Sequence, residues 1–189
     1  NSAPRKPEPQ PPLLIHLVKT EIASCPWDSS RRLMRVVAQM PVDQDGIEIN
    51  SRDYQIAVKF DPAQVQAWRL ITEKHMPPSN GGLLATRFAW YEIVPGRSFA
   101  PKSGKPATIG VLDIVQPRGT PRDSQPLKLL DRGLAWDDAR EDFIFETAMV
   151  GFNLLLQGTE NVGGLNHKLV LELAEQSRDD DPKGVRGKF

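Results

Sequence analysis

The sequence is poor in the residues that build disulfides and metal sites. Its 189 residues include one cysteine, Cys25, and three histidines, His16, His75 and His167. A single cysteine excludes an intrachain disulfide and a zinc site built on cysteines. No two histidines have a metal-site spacing such as His-x-x-x-His, and the three lie in different predicted elements. We therefore expect strand or surface histidines and no metal ligands.

The sequence also lacks an excess of either charge and a long apolar run. Lys and Arg together count 24, as do Asp and Glu, so the basic excess with which nucleic-acid binders neutralise phosphates is missing. The longest uncharged stretch, 147–159, is shorter than the roughly 18–20 residues of a membrane span. We predict no nucleic-acid partner and no membrane span within this chain.

Catalytic motifs are absent as well. Gly81-Gly82 and Gly163-Gly164 fit neither a Gly-x-Gly-x-x-Gly nor a Walker pattern and predict turns, and no Gly-x-Ser-x-Gly elbow occurs. Cys25 lies at a predicted strand-to-turn junction, which favours a buried structural thiol over a nucleophile. We predict no catalytic residue, no cofactor-binding residue, no metal ligand and no cofactor, and hence no enzyme.

Two acidic runs have structural explanations. Asp137-Asp138 with Glu141-Asp142 marks a helix start, where carboxylates complement the helix dipole. Asp179-Asp180-Asp181 lacks the Gly and the trailing Glu of a calcium loop, so a solvated tail explains it. Neither run predicts a cation site.

What the chain does contain is a series of strand and turn signals. Residues 1–12 hold five prolines and predict a disordered Pro-rich linker. Seven later segments predict strands: 13–22, 31–42, 54–60, 65–72, 83–94, 107–115 and 127–130. The clearest alternation is in 54–60, whose one-sided apolar set is Tyr54, Ile56, Val58 and Phe60.

The hydrophobic period changes near the C-terminus. A helix is predicted over 137–158, with an apolar face formed by Phe145, Ala148, Met149, Phe152, Leu155 and Leu156. Asp138 with Glu141 resembles a capping box, and Gly158 fits the C-terminal stop. A second amphipathic helix is predicted over 164–177, with the register Leu165, Leu169 and Leu173.

Strands followed by helices, without alternation, exclude a doubly wound parallel sheet. We predict an α+β fold, in which an antiparallel β-sandwich-like domain occupies 13–135. A C-terminal unit of two amphipathic helices, over 136–189, is predicted to pack on the sheet.

The aromatic residues are spread over separate segments, which favours core packing over a platform for sugars or peptides. They are Trp27, Tyr54, Trp68, Trp90, Tyr91 and Trp136. Because Trp90 and Tyr91 are neighbours in a predicted strand, they point to opposite faces. We predict that one faces the core and the other lies on a contact surface.

Three ordered blocks of sequence resemble parts of a known family. They are PPLLIHLVKTEIASCPWDSSRRLMRV at 11–36, DYQIAVKFDPAQVQAWRLI with WYEIVPG at 53–71 and 90–96, and EDFIFETAMVGFNLLLQGT with LVLELAEQSRDDDPKGVRGKF at 141–159 and 169–189. Together they resemble the regions that flank the von Willebrand factor A (VWA) domain of bacterial YfbK-type proteins. The resemblance implies an extracytoplasmic protein, periplasmic or membrane-tethered, with a protein partner.

The VWA domain itself is missing from this chain. In that family it lies between strands that correspond to 31–42 and 53–60, so its insertion point falls near 41–52. Here that interval holds the turn sequence Asp43-Gln44-Asp45-Gly46, and we predict that the two strands pair directly as a hairpin. The closest match to the family's Asp-x-Ser-x-Ser metal motif, Asp28-Ser29-Ser30-Arg31-Arg32, has Arg at the last Ser. Metal-dependent adhesion is therefore not carried over.

These observations favour a non-enzymatic scaffold or protein-interaction module, and an anchor upstream of Asn1 is compatible with it. Two alternatives stay open: a small-ligand or glycan binder that uses exposed aromatics, and a hydrolase whose site assembles only in three dimensions. A pocket that groups a histidine with two carboxylates would favour the hydrolase. An exposed apolar patch on the order of a few hundred Å² would favour a partner surface. The oligomeric state stays open.

Overall fold

The computed structural model describes residues 17–41, 55–76, 84–99, 105–115 and 126–177. The strands are β1 Leu17–Cys25, β2 Asp28–Pro41, β3 Gln55–Phe60, β4 Val65–Met76, β5 Leu84–Pro95, β6 Ala107–Val115 and β7 Leu127–Asp131. A short 3-10 helix, Trp136–Asp138, precedes the helices α1 Glu141–Leu156 and α2 His167–Gln176. This order confirms the predicted α+β class with a β-sandwich-like domain and C-terminal helices. The predicted linker, 1–12, and the charged tail, 178–189, lie outside the described residues.

The strands form two antiparallel sheets. Sheet 1 has the order β1-β2-β5-β4, and sheet 2 has the order β3-β6-β7. β1 and β2 form a hairpin whose tight turn is Pro26-Trp27, since Cys25 pairs with Asp28. In the middle of sheet 1, β2 pairs with β5 over ten residues, from Arg32 to Pro41.

The predicted hairpin between β2 and β3 is wrong. β2 pairs with β1 and β5 inside sheet 1, whereas β3 pairs with β6 in sheet 2. β2 has buried side chains on both faces, which suits the middle of a covered sheet. β3 alternates, and its apolar set Ile56, Val58 and Phe60 packs on one core only. The intervening 42–54, with the predicted Asp-Gly turn, lies outside the described residues.

Sheet 1 is covered on both faces, which gives the described residues two hydrophobic cores. The sandwich core lies between the sheets and comprises Ile22, Met34, Val36, Ala38, Val65, Ala89, Tyr91, Ile93, Ile109, Leu112 and Leu129. The helix core lies between sheet 1 and the helices and includes Ala23, Cys25, Trp27, Leu33, Trp90, Phe143, Ile144, Leu154, Leu165, Val170 and Leu173. Successive residues of one strand therefore enter different cores.

The prediction that either Trp90 or Tyr91 faces a contact surface is wrong. Both are buried, with 3% and 6% of their surface exposed. Trp90 enters the helix core, where its ring centroid lies 5.0 Å from that of Phe143. Tyr91 enters the sandwich core. The two do point to opposite faces, but both faces of β5 are covered.

The predicted helix over 137–158 is confirmed as α1, but its predicted apolar face coincides only in part with the face that it buries, because Ala148 alone of the six residues is fully buried. Met149 and Leu156 of the predicted face are 36% and 68% exposed. The residues that α1 buries are Phe143, Ile144, Thr147, Ala148, Val150, Gly151 and Leu154. α1 is apolar around much of its circumference, so the period of its apolar residues fits more than one face.

The ends of the helices differ in how they are capped. The predicted capping box is wrong, because α1 begins after Arg140, which has no side-chain cap, and Asp138 belongs to the 3-10 helix. The stop at Gly158 is confirmed: its φ is +61°, and its N–H donates to the Leu155 carbonyl at 3.1 Å. α2 starts after Asn166, whose side chain accepts a hydrogen bond from the N–H of Leu169. Neither α-helix has the length and apolarity that a membrane span requires.

Gly163 and Gly158 offer a matched pair of substitutions. Both have positive φ, +56° and +61°, so alanine costs about 1 kcal/mol of backbone strain at either position. A Cβ at Gly163 would also collide with the Trp27 carbonyl oxygen, whereas at Gly158 it meets nothing within 4 Å. We expect G163A to lower the free energy of unfolding by about 2 kcal/mol more than G158A in urea denaturation. Equal losses would contradict a close contact between Gly163 and the β1–β2 turn.

Candidate functional site

Two clefts lie between α1 and the helix-facing side of sheet 1. The first, here the charged cleft, has a volume of about 440 Å³ and is lined by Lys19, Thr20, Glu21, Arg35, Val37, Gln39, Phe88, Arg140, Asp142 and Glu146. The second, here the apolar groove, has a volume of about 230 Å³ and is lined by Thr72, Lys74, Met76, Phe88, Trp90, Phe145, Glu146, Met149, Val150 and Asn153. Phe88 and Glu146 line both clefts, so the two are neighbours.

Arg35 is the central cation of the charged cleft. It lies on the helix-facing side of β2, and its side chain is 4% exposed. Its Nη2 donates to Glu21 Oε2 at 3.0 Å and to Asp142 Oδ2 at 2.9 Å. Its Nη1 donates to Glu146 Oε1 at 2.9 Å, and the guanidinium carbon lies 5.7 Å from the centroid of the Phe143 ring. One buried cation thus joins β1, β2 and α1.

Arg140 adds a second cation at the rim of the charged cleft. Its Nη2 donates to Glu21 Oε2 at 2.7 Å, and its Nε donates to the same oxygen at 3.1 Å. Its side chain is 59% exposed, so solvent screens these contacts. The interacting group therefore contains three carboxylates and two guanidiniums.

Asp142 and Glu146 respond in opposite ways to the same surroundings. Burial raises the pKa of Glu146, and this effect outweighs the attraction of Arg35, so the pKa lies above its ordinary value. Burial also acts to raise the pKa of Asp142, but the hydrogen bond and charge of Arg35 outweigh it, and that pKa lies below its ordinary value. As the pH falls, Glu146 is protonated before Asp142.

Two other carboxylates, Asp131 and Glu92, are buried and ion-paired. Arg32 donates from Nε and Nη2 to Asp131 at 2.8 Å and 2.7 Å, and this fork joins sheet 1 to β7 of sheet 2. On the helix-facing side, Glu92 is 2% exposed and accepts from Arg31 and, at 2.8 Å, from Arg69 Nη2. The hydrogen bond to Glu92 raises the pKa of Arg31. Both carboxylates have cationic partners and a structural explanation, Asp131 between the two sheets and Glu92 within sheet 1.

The described residues His75, His167 and Cys25 lie in three different elements, β4, α2 and β1. His75 is exposed on β4 and His167 is exposed at the start of α2, while His16 lies outside the described residues. Cys25 is 2% exposed, and desolvation by burial raises its pKa to about 12, so it remains a thiol. Across the described ranges, no group of three or more His, Cys, Asp and Glu side chains is arranged to hold a metal ion.

The Asp28–Ser30 segment is the closest match to the adhesion motif, and its Asp28 carboxylate is bound by neighbouring residues of the same segment and by Arg31. The N–H and Oγ of Ser30 donate to Asp28 Oδ1 at 3.0 Å and 2.6 Å, and Arg31 Nε lies 2.9 Å from Asp28 Oδ2. The side-chain hydrogen bond from Ser30 lowers the pKa of Asp28. Asp28 is thus engaged in its own turn.

The other glycines and acidic residues have local roles or lie elsewhere. Gly163-Gly164 is a turn, as predicted, and the N–H of Gly164 donates to the Trp27 carbonyl at 2.7 Å. Asp137 and Asp138 are exposed in the 3-10 helix. Gly81-Gly82 and Asp179–Asp181 lie outside the described residues.

Most of the aromatic residues pack inside the protein, as predicted. Trp27 and Trp90 are buried, Trp136 is half-buried, and Tyr54 lies outside the described residues. Trp68 on β4 differs, because 51% of it is exposed while its ring contacts Phe60 and Tyr91 at centroid distances of 5.4 Å and 5.9 Å.

Sequence reasoning missed Arg35 and its carboxylate partners. The available signal is alternation: Glu21 shares a strand face with Ala23, and Arg35 shares one with Leu33 and Val37. A charged residue in such an apolar row predicts a buried ion pair. Nothing local identifies the partner, because Glu146 is 111 residues away in the chain.

Comparisons with known proteins give no assignment for this site. No protein family, curated protein or solved structure matches the chain. The resemblance to the flanks of a VWA domain therefore stays a prediction, and the geometry of the two clefts carries the functional argument.

Arg35→Met tests whether one buried cation holds α1 on sheet 1. We expect it to lower the free energy of unfolding by about 3 kcal/mol, because carboxylates remain without their buried partner. The control Lys168→Met removes an exposed pair, Lys168 to Glu172 at 3.6 Å, and should leave the urea midpoint unchanged. Equal midpoints for the two variants would mean that Arg35 does not fasten the helix.

Asp142→Asn and Glu146→Gln should change the pH dependence of stability in opposite directions. Asp142 has a lowered folded-state pKa, so it stabilises the fold above its ordinary value of 3.8, and acid removes this stabilisation. Glu146 has a raised pKa, so the wild type loses stability as the pH rises from 4.5 through the folded-state value. In urea titrations from about pH 2 to about pH 8, Asp142→Asn should lack the loss of stability in acid, and Glu146→Gln should lack the loss of stability as the pH rises. Parallel profiles for the two variants would contradict the assignment.

Proposed function

We propose that this chain is a non-enzymatic protein-interaction module that binds a segment of a partner protein in the apolar groove. The observation that carries the proposal is the groove itself, in which Phe145 and Met149 of α1 face Met76, Phe88 and Trp90 of sheet 1. Grooves of this composition accommodate apolar side chains of a partner. Two of the five residues are methionines, whose flexible thioethers adapt to the shape of a ligand.

The α1 side of the groove carries the carboxylate of Glu146, which favours a basic residue in the partner segment on that side, while Lys74 of β4 lies on the opposite side. α1 carries Glu141, Asp142 and Glu146 and contains no Lys or Arg. Glu146 lines the apolar groove as well as the charged cleft. A partner segment with a large apolar side chain followed by Lys or Arg would fill the groove and bring the Lys or Arg to Glu146. Glu146 can accept this second cation because Arg35, its present partner, is shared with Glu21 and Asp142.

The alternatives have less support among the described residues. Neither cleft is lined by a histidine, and a histidine grouped with two carboxylates is what would favour a hydrolase. The exposed Trp68 that would favour a glycan binder lies on the sandwich side of β4, away from both clefts. The resemblance to YfbK-type proteins supports an extracytoplasmic location and descent from the frame of a VWA protein, and both belong to the proposal.

A peptide-display selection on the wild-type protein tests the proposal. We expect enrichment of peptides that place an apolar residue next to Lys or Arg. Met149→Asp should weaken their binding by about tenfold or more, because it replaces an apolar contact of the groove with a carboxylate that loses its hydration when the apolar side chain of the peptide enters. The matched control is Leu171→Asp on α2, which is 58% exposed and lines neither cleft. No enrichment, or equal affinity for Met149→Asp and wild type, would overturn the proposal.

A further inference from the structure

Among the residues that the structure describes, β4 is an edge strand of sheet 1. It stands last in the order β1-β2-β5-β4, and β5 is the one strand that pairs with it among the described residues. It is 12 residues long. An edge strand of this length presents a row of N–H and C=O groups with which an extended segment can pair.

The opposite edge of sheet 1 is partly covered by the chain itself. The N–H of Ser24 in β1 donates to the Leu134 carbonyl at 2.9 Å, and the N–H of Trp136 donates to Ser24 Oγ at 2.9 Å. These bonds come from the segment that leads to α1. The two edges of the sheet therefore differ: described residues cover part of β1, whereas no described strand pairs with the outer side of β4.

Large apolar side chains are exposed on both faces of β4. Trp68 and Leu70 lie on the sandwich side, opposite Ile93 and Tyr91 of β5, and are 51% and 45% exposed. Met76 lies on the helix side, lines the apolar groove and is 53% exposed. Edge strands that avoid pairing carry outward charges instead.

The charged side chains of β4 are Arg69, Glu73 and Lys74, and the first two are paired with β5: Glu73 Oε1 lies 3.7 Å from Arg87 Nη1. Arg69 is turned to the buried Glu92, with Nη2 at 2.8 Å from Oε2. Lys74 lies over the apolar groove and lines it. Trp68 and Leu70 therefore remain about half exposed beside a strand edge with which no described strand pairs.

We propose that β4 is a strand-addition site, at which the partner segment of the apolar groove binds as an extended strand. This inference rests on the proposed function and states how the partner is held. Neighbouring strands lie about 4.8 Å apart, so an added strand runs along the side of the groove that Thr72, Lys74 and Met76 form. Alternate side chains then enter the groove, and the others pack on Trp68 and Leu70.

The geometry specifies the chemistry of the partner. The segment is extended and apolar on both faces, because β4 exposes apolar side chains on both. Among the side chains of the segment that face the groove is the basic residue that reaches Glu146. A helical partner would present one apolar face to the groove and leave Trp68 and Leu70 uncovered.

A backbone N-methyl scan of the tightest peptide from the display selection tests strand addition. An added strand uses the N–H of every second residue, so methylation at alternate positions should weaken binding by about tenfold or more. Methylation at the intervening positions should change it little. Leu70→Lys should weaken binding of the same peptide by about tenfold. The matched control Leu171→Lys should leave the binding unchanged; Leu171 is 58% exposed in the wild type.

The outcomes separate the two proposals. If Met149→Asp abolishes binding but the scan shows no alternation, strand addition is overturned and the groove proposal stands. If Leu70→Lys fails to fold, hydrogen exchange of the wild-type β4 amides replaces it: protection of alternate amides in 65–76 by the peptide supports the inference, and unchanged exchange overturns it. A selection that yields no peptide overturns both proposals.

Discussion

Sheet 1 lies between sheet 2 and the helices, and the burial of both its faces governs the arrangement of the rest of the chain. Every second side chain of β2 and β5 enters the sandwich core, and those between them enter the helix core. Neighbouring residues such as Trp90 and Tyr91 are therefore both buried. A sheet covered in this way exposes mainly its edges and the parts of its faces that the other layers leave open. The candidate binding surfaces lie at those places.

The buried charges of sheet 1 connect it to the layers on either side. Arg32 reaches Asp131 across the sandwich, and Arg35 reaches Asp142 and Glu146 on α1. Burial of a charge is costly unless a partner is placed correctly, so such pairs select one arrangement of the layers more than they add net stability. The Arg35 contacts fix α1 at a definite position on sheet 1. That position determines which apolar residues of α1 face the core and which line the groove.

The strands and helices can be predicted from the sequence more completely than the way in which they are arranged. All seven strands and both helices are predictable, because alternation, turn residues and the helical period are local signals. The pairing of β2 with β5 is not, because an Asp-Gly turn after β2 favours a hairpin with β3. The face of α1 is ambiguous, because Phe145 and Met149 continue an apolar period as well as Ile144 and Ala148 do. The charged cleft escapes prediction since Arg35 and Asp142 are separated by 107 residues.

The topology of sheet 1 also determines the kind of folding kinetics that this protein has. Its central ladder sets Arg32 of β2 beside Ile93 of β5, so β3 and β4 lie within the loop that this pairing closes. Closing long loops before their contacts form places such folds among the slower ones, with refolding on the order of milliseconds to seconds. α1 and α2 are short local elements, but isolated helices of this length are marginal in water. They pack on sheet 1, so we expect closure of β2 onto β5, the pairing of that sheet that joins the segments most distant in sequence, to be the slow step of folding.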